Sequence, residues 1–127
     1  MDNQKKSEKR KSGLEMMDAV YGEGFSDRLK ENNSLIVNET LEHLFASVWS
    51  RPNLSIKDRR LLIIGVTAAT GKRETLKIQA LGALKNNELS PDELREAALH
   101  LAYYAGWEKG MEATQAFEEA IRSLNEK

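Results

Sequence analysis

The 127-residue sequence contains no cysteine. That absence excludes disulfides, thiolate zinc sites and any thiol-based redox cycle, whatever the compartment. An excess of one charge sign is also missing: 19 basic against 20 acidic side chains leave a net charge of −1. No global field therefore draws the chain to nucleic acid or to an anionic membrane, and neither is expected as a partner. Apolar runs fall short of membrane-spanning length, and the N-terminus shows no apolar stretch of the signal-peptide kind. A cytoplasmic location is the expectation. Only two histidines, His43 and His100, offer a side chain that ordinarily titrates near neutral pH. No segment alternates with the period of two that a half-buried strand requires.

What the chain does have is the composition of one globular domain, with 40% apolar and 31% charged residues and enough length for a real core. Its opening "MDNQKKSEKRKS" departs from this, with five basic side chains (Lys5, Lys6, Lys9, Arg10, Lys11), two acids and almost nothing apolar. Residues 1–12 are therefore expected to form a flexible basic tail, with a weak anion contact as the other option. Residues 13–127 form the domain.

Helix punctuation recurs along that domain. A short helix is expected from Gly13 to Val20, and a turn or helix at Ser26–Glu31. Ser34 is a plausible N-cap for a helix whose Val37, Leu41, Leu44 and Val48 share one face, and Pro52 stops it. Ser55 and Asp58 resemble a capping box ahead of "IKDRRLLIIGVTAAT", a helix apolar on every side from Leu61 onward. Such a helix belongs in a central position or at a subunit interface. Gly71 suits its C-terminal cap, and "ETLKIQALGAL" follows as far as Asn86–Asn87. "SPDE" is the clearest start signal: Ser90 at the N-cap, Pro91 at N1 and Glu93 closing the box. Leu94, Ala97, Ala98, Leu101 and Ala102 line one face of that helix, which ends near Gly106. The last helix buries Met111, Ala116, Phe117, Ala120, Ile121 and Leu124. The fold expected is all-α, with five main helices and a short N-terminal one.

Few residues can carry chemistry. Glu39 and His43 stand four apart on one helix, as do Glu96 and His100, and either carboxylate could favour its imidazolium. The histidines lie on different helices, so neither forms a two-histidine metal motif, and no metal is expected. Arg59 and Arg60 begin a helix where basic residues oppose the dipole, so a buried acid or a bound anion must hold at least one of them. Trp49 lines a pocket or packs in the core. Of the adjacent Tyr103 and Tyr104, one is expected to face inward. By periodicity alone, Gln79 is an odd polar residue at the edge of an apolar helix.

Three stretches, "GLEMMDAVYGE", "VWSRPNLSIKDRRLLI" and "ALKNNELSPDELREAALHLAYYAGW", resemble the carboxymuconolactone decarboxylase family, and the likeness runs from about Gly13 to Leu124. Its most specific parts are Trp49-x-Arg51-Pro52-x-Leu54 leading to Arg59, and Ser90-Pro91-x-Glu93 followed by Tyr104-Ala105-Gly106-Trp107. The resemblance implies an alkylhydroperoxidase D (AhpD)-like helical subunit that assembles into homotrimers or homohexamers. One branch of that superfamily uses a Cys-x-x-Cys pair, which this chain lacks, so thiol peroxidase activity is disfavoured. The other branch, the lactone decarboxylases of aromatic catabolism, carries a histidine in Glu-x-x-x-x-His-x-x-x-x-Leu.

Here that pattern reads Glu74-x-x-x-x-Gln79-x-x-x-x-Leu84, and glutamine cannot titrate. His100 stands where many relatives carry glutamine, four residues before the tyrosine of "YAG", so the two residues could have exchanged roles across one pocket. Glu108 replaces the proline common after "YAGW". The resemblance thus implies a cofactor-free lyase or proton-transfer enzyme acting on a small carboxylated or lactone metabolite. His100 would be its acid or base, and Gln79 would orient the substrate. Arg59 or Arg51 would pair with the substrate carboxylate, while Trp49, Glu74 and Tyr104 would complete the site. The alternative is a non-catalytic oligomeric scaffold or small-molecule binding protein of the same fold.

Overall fold

The capping signals at Ser34 and Ser90 are realised in the computed structural model, which describes residues 2–126. Those residues form helices joined by short turns, with no strand among them. In order they are α1 (Asp2–Tyr21), a 3₁₀ turn (Phe25–Leu29), α2 (Leu35–Glu39) running into a π-helical segment (Thr40–Val48), α3 (Ile56–Thr70), α4 (Arg73–Lys85), α5 (Pro91–Ala105) and α6 (Trp107–Asn125). The all-α expectation holds. The chain divides into two compact units, one ending at Ile56 and the other beginning at Lys57.

In the N-terminal unit, α1 is longer than the short helix expected from Gly13, because it runs unbroken from Asp2 through the basic segment. Lysine, glutamine, glutamate and arginine are good helix formers, so nothing in "NQKKSEKRK" stops a helix. Arg10 also anchors it. Its guanidinium donates to Asn38 Oδ1 at 2.7 Å and to the carbonyls of Leu29 at 3.0 Å and Asn32 at 2.8 Å, tying α1 to the turn that leads into α2. Gly13 lets α1 approach the π segment closely, since a Cβ there would lie 1.9 Å from the carbonyl oxygen of Leu41.

The π segment changes the expected face. Bonds such as Trp49 N–H to Leu44 C=O, spanning five residues at 2.9 Å, widen the turn. Leu41, Phe45 and Trp49, each four apart, are therefore the buried side chains, and Leu44 and Val48 are exposed instead. Phe45 and Trp49 stack with centroids 5.9 Å apart, and Met17 and Val20 of α1 complete this core.

In the C-terminal unit α6 packs against α4 and α5. The core is built from Leu76, Ala80 and Ala83 of α4, Leu94 and Ala98 of α5, and Ala116, Phe117 and Ala120 of α6, joined by Ile64 and Ala68 of α3. Alanine and glycine at the contacts bring the helices close: a Cβ on Gly110 would lie 2.4 Å from that of Ala102. Met111, expected inside, is exposed. Helix α3 buries one side only, through Arg60, Ile64, Thr67 and Ala68, while Leu61, Leu62 and Val66 face outward. The central position is thus overturned for the single chain.

Candidate active site

Ser90 fixes the start of α5. Its hydroxyl accepts from the Glu93 N–H at 3.1 Å, and its own N–H donates to Glu93 Oε1 at 2.9 Å. From that start, Leu94, Ala98 and Ala102 fall on the buried side. His100 falls beside them on the exposed flank, in register with Ala97 one turn before it and Tyr104 one turn after. The His100 and Tyr104 rings lie 5.0 Å apart at 37°, in a tilted contact.

Next to His100 the surface dips into a hollow of about 160 Å³, lined by Leu61, Ile64 and Gly65 of α3 and Ala97, His100 and Leu101 of α5. Residues 61, 64 and 65 share one helix face, as do 97, 100 and 101, so the walls follow from two helical repeats meeting. His100 is the one titratable side chain of this wall.

Arg60, one of the two candidate arginines, is occupied by structure. It is fully buried, and its guanidinium makes a bidentate pair with Glu88, Nε to Oε1 at 2.9 Å and Nη2 to Oε2 at 3.0 Å. Asn86 Nδ2 donates to the same Oε2 at 3.0 Å. The buried acid, rather than a bound anion, answers the dipole conflict at Arg60. Arg59 beside it is partly buried.

Gln79 is not at a helix edge. It is 5% exposed on α4, and its Oε1 has no hydrogen-bond partner among the described residues. A buried amide oxygen left unpaired costs about 1–3 kcal/mol. Gln79 is not in the wall of the hollow beside His100, so that cavity does not bring the two residues together. Glu74 lies exposed in the first turn of α4. Tyr103 and Tyr104 are 74% and 81% exposed, which corrects the expectation that one faces inward. Both stand on the arc of α5 opposite Ala98 and Ala102, and Tyr103 packs edge-on against Trp107 at 5.9 Å.

In the N-terminal unit Trp49 is buried against Phe45, whereas Arg51 is exposed. His43 Nδ1 meets Glu39 Oε2 at 2.6 Å on the surface, the i,i+4 pair read from the sequence. A larger hollow of about 390 Å³ lies there, with Lys5, Lys6 and Lys9 opposite Glu39, Glu42 and His43. Charges of both signs line it, which describes a solvated polar groove more than a substrate site. Among the described residues no cluster of three histidine, aspartate or glutamate side chains could hold a metal, and no helix is long and apolar enough to cross a membrane.

The sequence reading missed Gly65, Leu61 and Ala97 as cavity residues. A glycine in mid-helix inside an apolar run was the available signal. The Arg60–Glu88 pair joins residues 28 apart, which no local pattern reveals.

Comparison with known proteins adds an independent line. Residues 37–119 match the model of the carboxymuconolactone decarboxylase family. The 4-carboxymuconolactone decarboxylase of Acinetobacter baylyi is 36% identical over 118 residues, covering 90% of this chain and 87% of that protein. The nitrosuccinic acid decarboxylase of Metarhizium robertsii is 34% identical over 86 residues, covering 68% of this chain and 59% of that protein.

Proposed function

This chain belongs to the carboxymuconolactone decarboxylase family, and from that premise we propose that it decarboxylates a small carboxylated metabolite, with His100 as the acid–base group. The observation that carries the proposal is the titratable His100 at the wall of a small cavity, its ring stacked on Tyr104. In the reaction the carbon–carboxylate bond breaks heterolytically and carbon dioxide leaves. The electron pair stays on carbon and spreads into an electron-withdrawing group of the substrate. The names of the two relatives specify such groups, a lactone and a nitro group. Protonated His100 then gives its proton to that carbon and regains one from water. Because the electron sink belongs to the substrate, this chemistry asks for no cofactor.

Tyr104, outside the wall of the hollow, contributes its ring contact with the imidazole. Arg59, the candidate for the substrate carboxylate, stands nearly opposite Leu61, Ile64 and Gly65 around α3 and is not in the wall of the hollow, so the geometry lends that role no support. Gln79, buried on α4 and outside the wall of the hollow, carries no part of this scheme. Trp49 and Arg51 belong to the other unit and carry no part of the proposal. The exposed Leu62, Val66, Tyr103 and Trp107 support assembly into a homotrimer or homohexamer. A single-chain mass at micromolar concentration would contradict that assembly.

The test is a pH–rate profile with 4-carboxymuconolactone and with nitrosuccinate, comparing wild type with His100→Ala and His100→Gln. Both variants should lose about 10²–10⁴-fold in kcat, the usual contribution of general acid–base catalysis. Turnover that survives His100→Ala would overturn the assignment. A second reading, a non-catalytic binding protein or scaffold, draws on the burial of Gln79 at the position where relatives carry reactive groups. Ligand binding without turnover in the wild type would favour it.

A further inference from the structure

We propose that the hollow between α3 and α5 seats the uncharged ring or chain of the substrate, and that Gly65 sets its depth and therefore the size of substrate admitted. This rests on His100 as the reacting side chain of the decarboxylase reading. At position 65 the fold does not need a glycine. Gly65 lies inside α3, where glycine costs about 0.5–1 kcal/mol relative to alanine. A Cβ placed there would meet no heavy atom within 4 Å, so close packing does not require its absence. The contrast is with Gly110, where a Cβ would collide with Ala102 at 2.4 Å. What the missing side chain does leave is space, since Gly65 forms part of the cavity wall.

Size and polarity then define the occupant. The hollow of about 160 Å³ is open to solvent on one side, and its volume is close to the roughly 150 Å³ of an enclosed void that takes up benzene, so a five- or six-membered ring can lie in it with one edge exposed. Leu61, Ile64, Gly65, Ala97 and Leu101 offer no polar side chain, and His100 alone does. A carboxylate entering such a wall would lose its hydration without compensation. It stays at the mouth in water, while the uncharged skeleton enters. That orientation holds the carbon bearing the carboxylate beside the imidazole, where the proton must arrive after carbon dioxide leaves.

The experiment titrates benzoate and acetate into the full chain, followed by amide chemical shifts, for wild type, Gly65→Ala, Gly65→Val and His100→Ala. Benzoate should shift the amides of Gly65, Ala97 and Leu101 in the wild type, whereas acetate should leave Gly65 unmoved. Gly65→Val should weaken benzoate by at least about tenfold, as methyl groups crowding an apolar pocket do. Gly65→Ala, which favours the helix and serves should the valine variant not fold, should weaken it less. Benzoate that binds Gly65→Val and Gly65→Ala as tightly as wild type would overturn the proposal. So would a Gly65→Val variant of altered oligomeric mass and unaltered benzoate affinity, because a second copy would then be what fills the space. Benzoate seated in the wild type and blocked by Gly65→Val, with no turnover of 4-carboxymuconolactone, would uphold the pocket and sink the decarboxylase reading alone.

Discussion

Replacing Glu88 with alanine withdraws a carboxylate from a guanidinium that has no exposed surface. Arg60 is 0% exposed and the Glu88 side chain 9%, and two charge-assisted bonds of 2.9 and 3.0 Å join them. Each such bond contributes about 1.5–3 kcal/mol, and breaking a buried pair by removing one partner costs about 3–5 kcal/mol, because a buried charge is left behind. For a chain of this length, each kcal/mol moves Tm by about 3–6 °C, so Glu88→Ala should lower it by roughly 10–25 °C. Glu88→Gln keeps an acceptor and loses the charge, and should fall between. The double variant Arg60→Met/Glu88→Leu removes both charges and should recover most of the loss, since an apolar replacement of a buried pair is often neutral or stabilising by about 1–4 kcal/mol. Urea unfolding of the four proteins closes the double-mutant cycle. A Glu88→Ala cost below about 1 kcal/mol, the range of exposed ion pairs, would refute the claim that this pair is held in the interior.

Other perturbations follow the same logic. Gly110→Val drives a branched side chain into Ala102 of α5 and should destabilise by about 1–3 kcal/mol in urea titrations. Arg10→Ala removes the donor that ties α1 to the carbonyls before α2, and should lower stability by about 1–2 kcal/mol and raise amide exchange in residues 29–38. The Ser90 N–H holds the Glu93 carboxyl below the ordinary glutamate value, and the Arg95 side chain does the same for Glu118. Because folding lowers both, their contribution is present above the unfolded glutamate value and is lost as pH falls through the folded one. Tm should therefore fall as pH drops below the ordinary glutamate value of about 4.3. Glu93→Gln, which keeps the capping bond without a proton to gain, should flatten that acid limb.

Where helices begin and end was legible because capping is local. Ser34 and Ser90 cap within three residues of themselves, and Pro91 needs no partner at N1. Side-chain placement was less legible. The face of residues 37–48 was misplaced because five-residue hydrogen bonds are invisible in a pattern read at the α period. Tyr103, Tyr104 and Met111 are exposed in the chain although their residue types favour burial. The candidate histidine could be named from composition, since there are only two, but its cavity could not, because Leu61, Gly65 and Ala97 belong to separate helices.

The sequence by itself determined the all-α class, the helix boundaries set by serine, proline and glycine, and the exclusion of thiol chemistry. Each of these depends on residue type or on neighbours a few positions away. Only the tertiary structure decided that Arg60 is matched by Glu88, that Gln79 is interior, and that His100 and Gly65 line one hollow. Those facts turn on which faces of α3, α4 and α5 meet in space. That choice is made by the packing of distant segments.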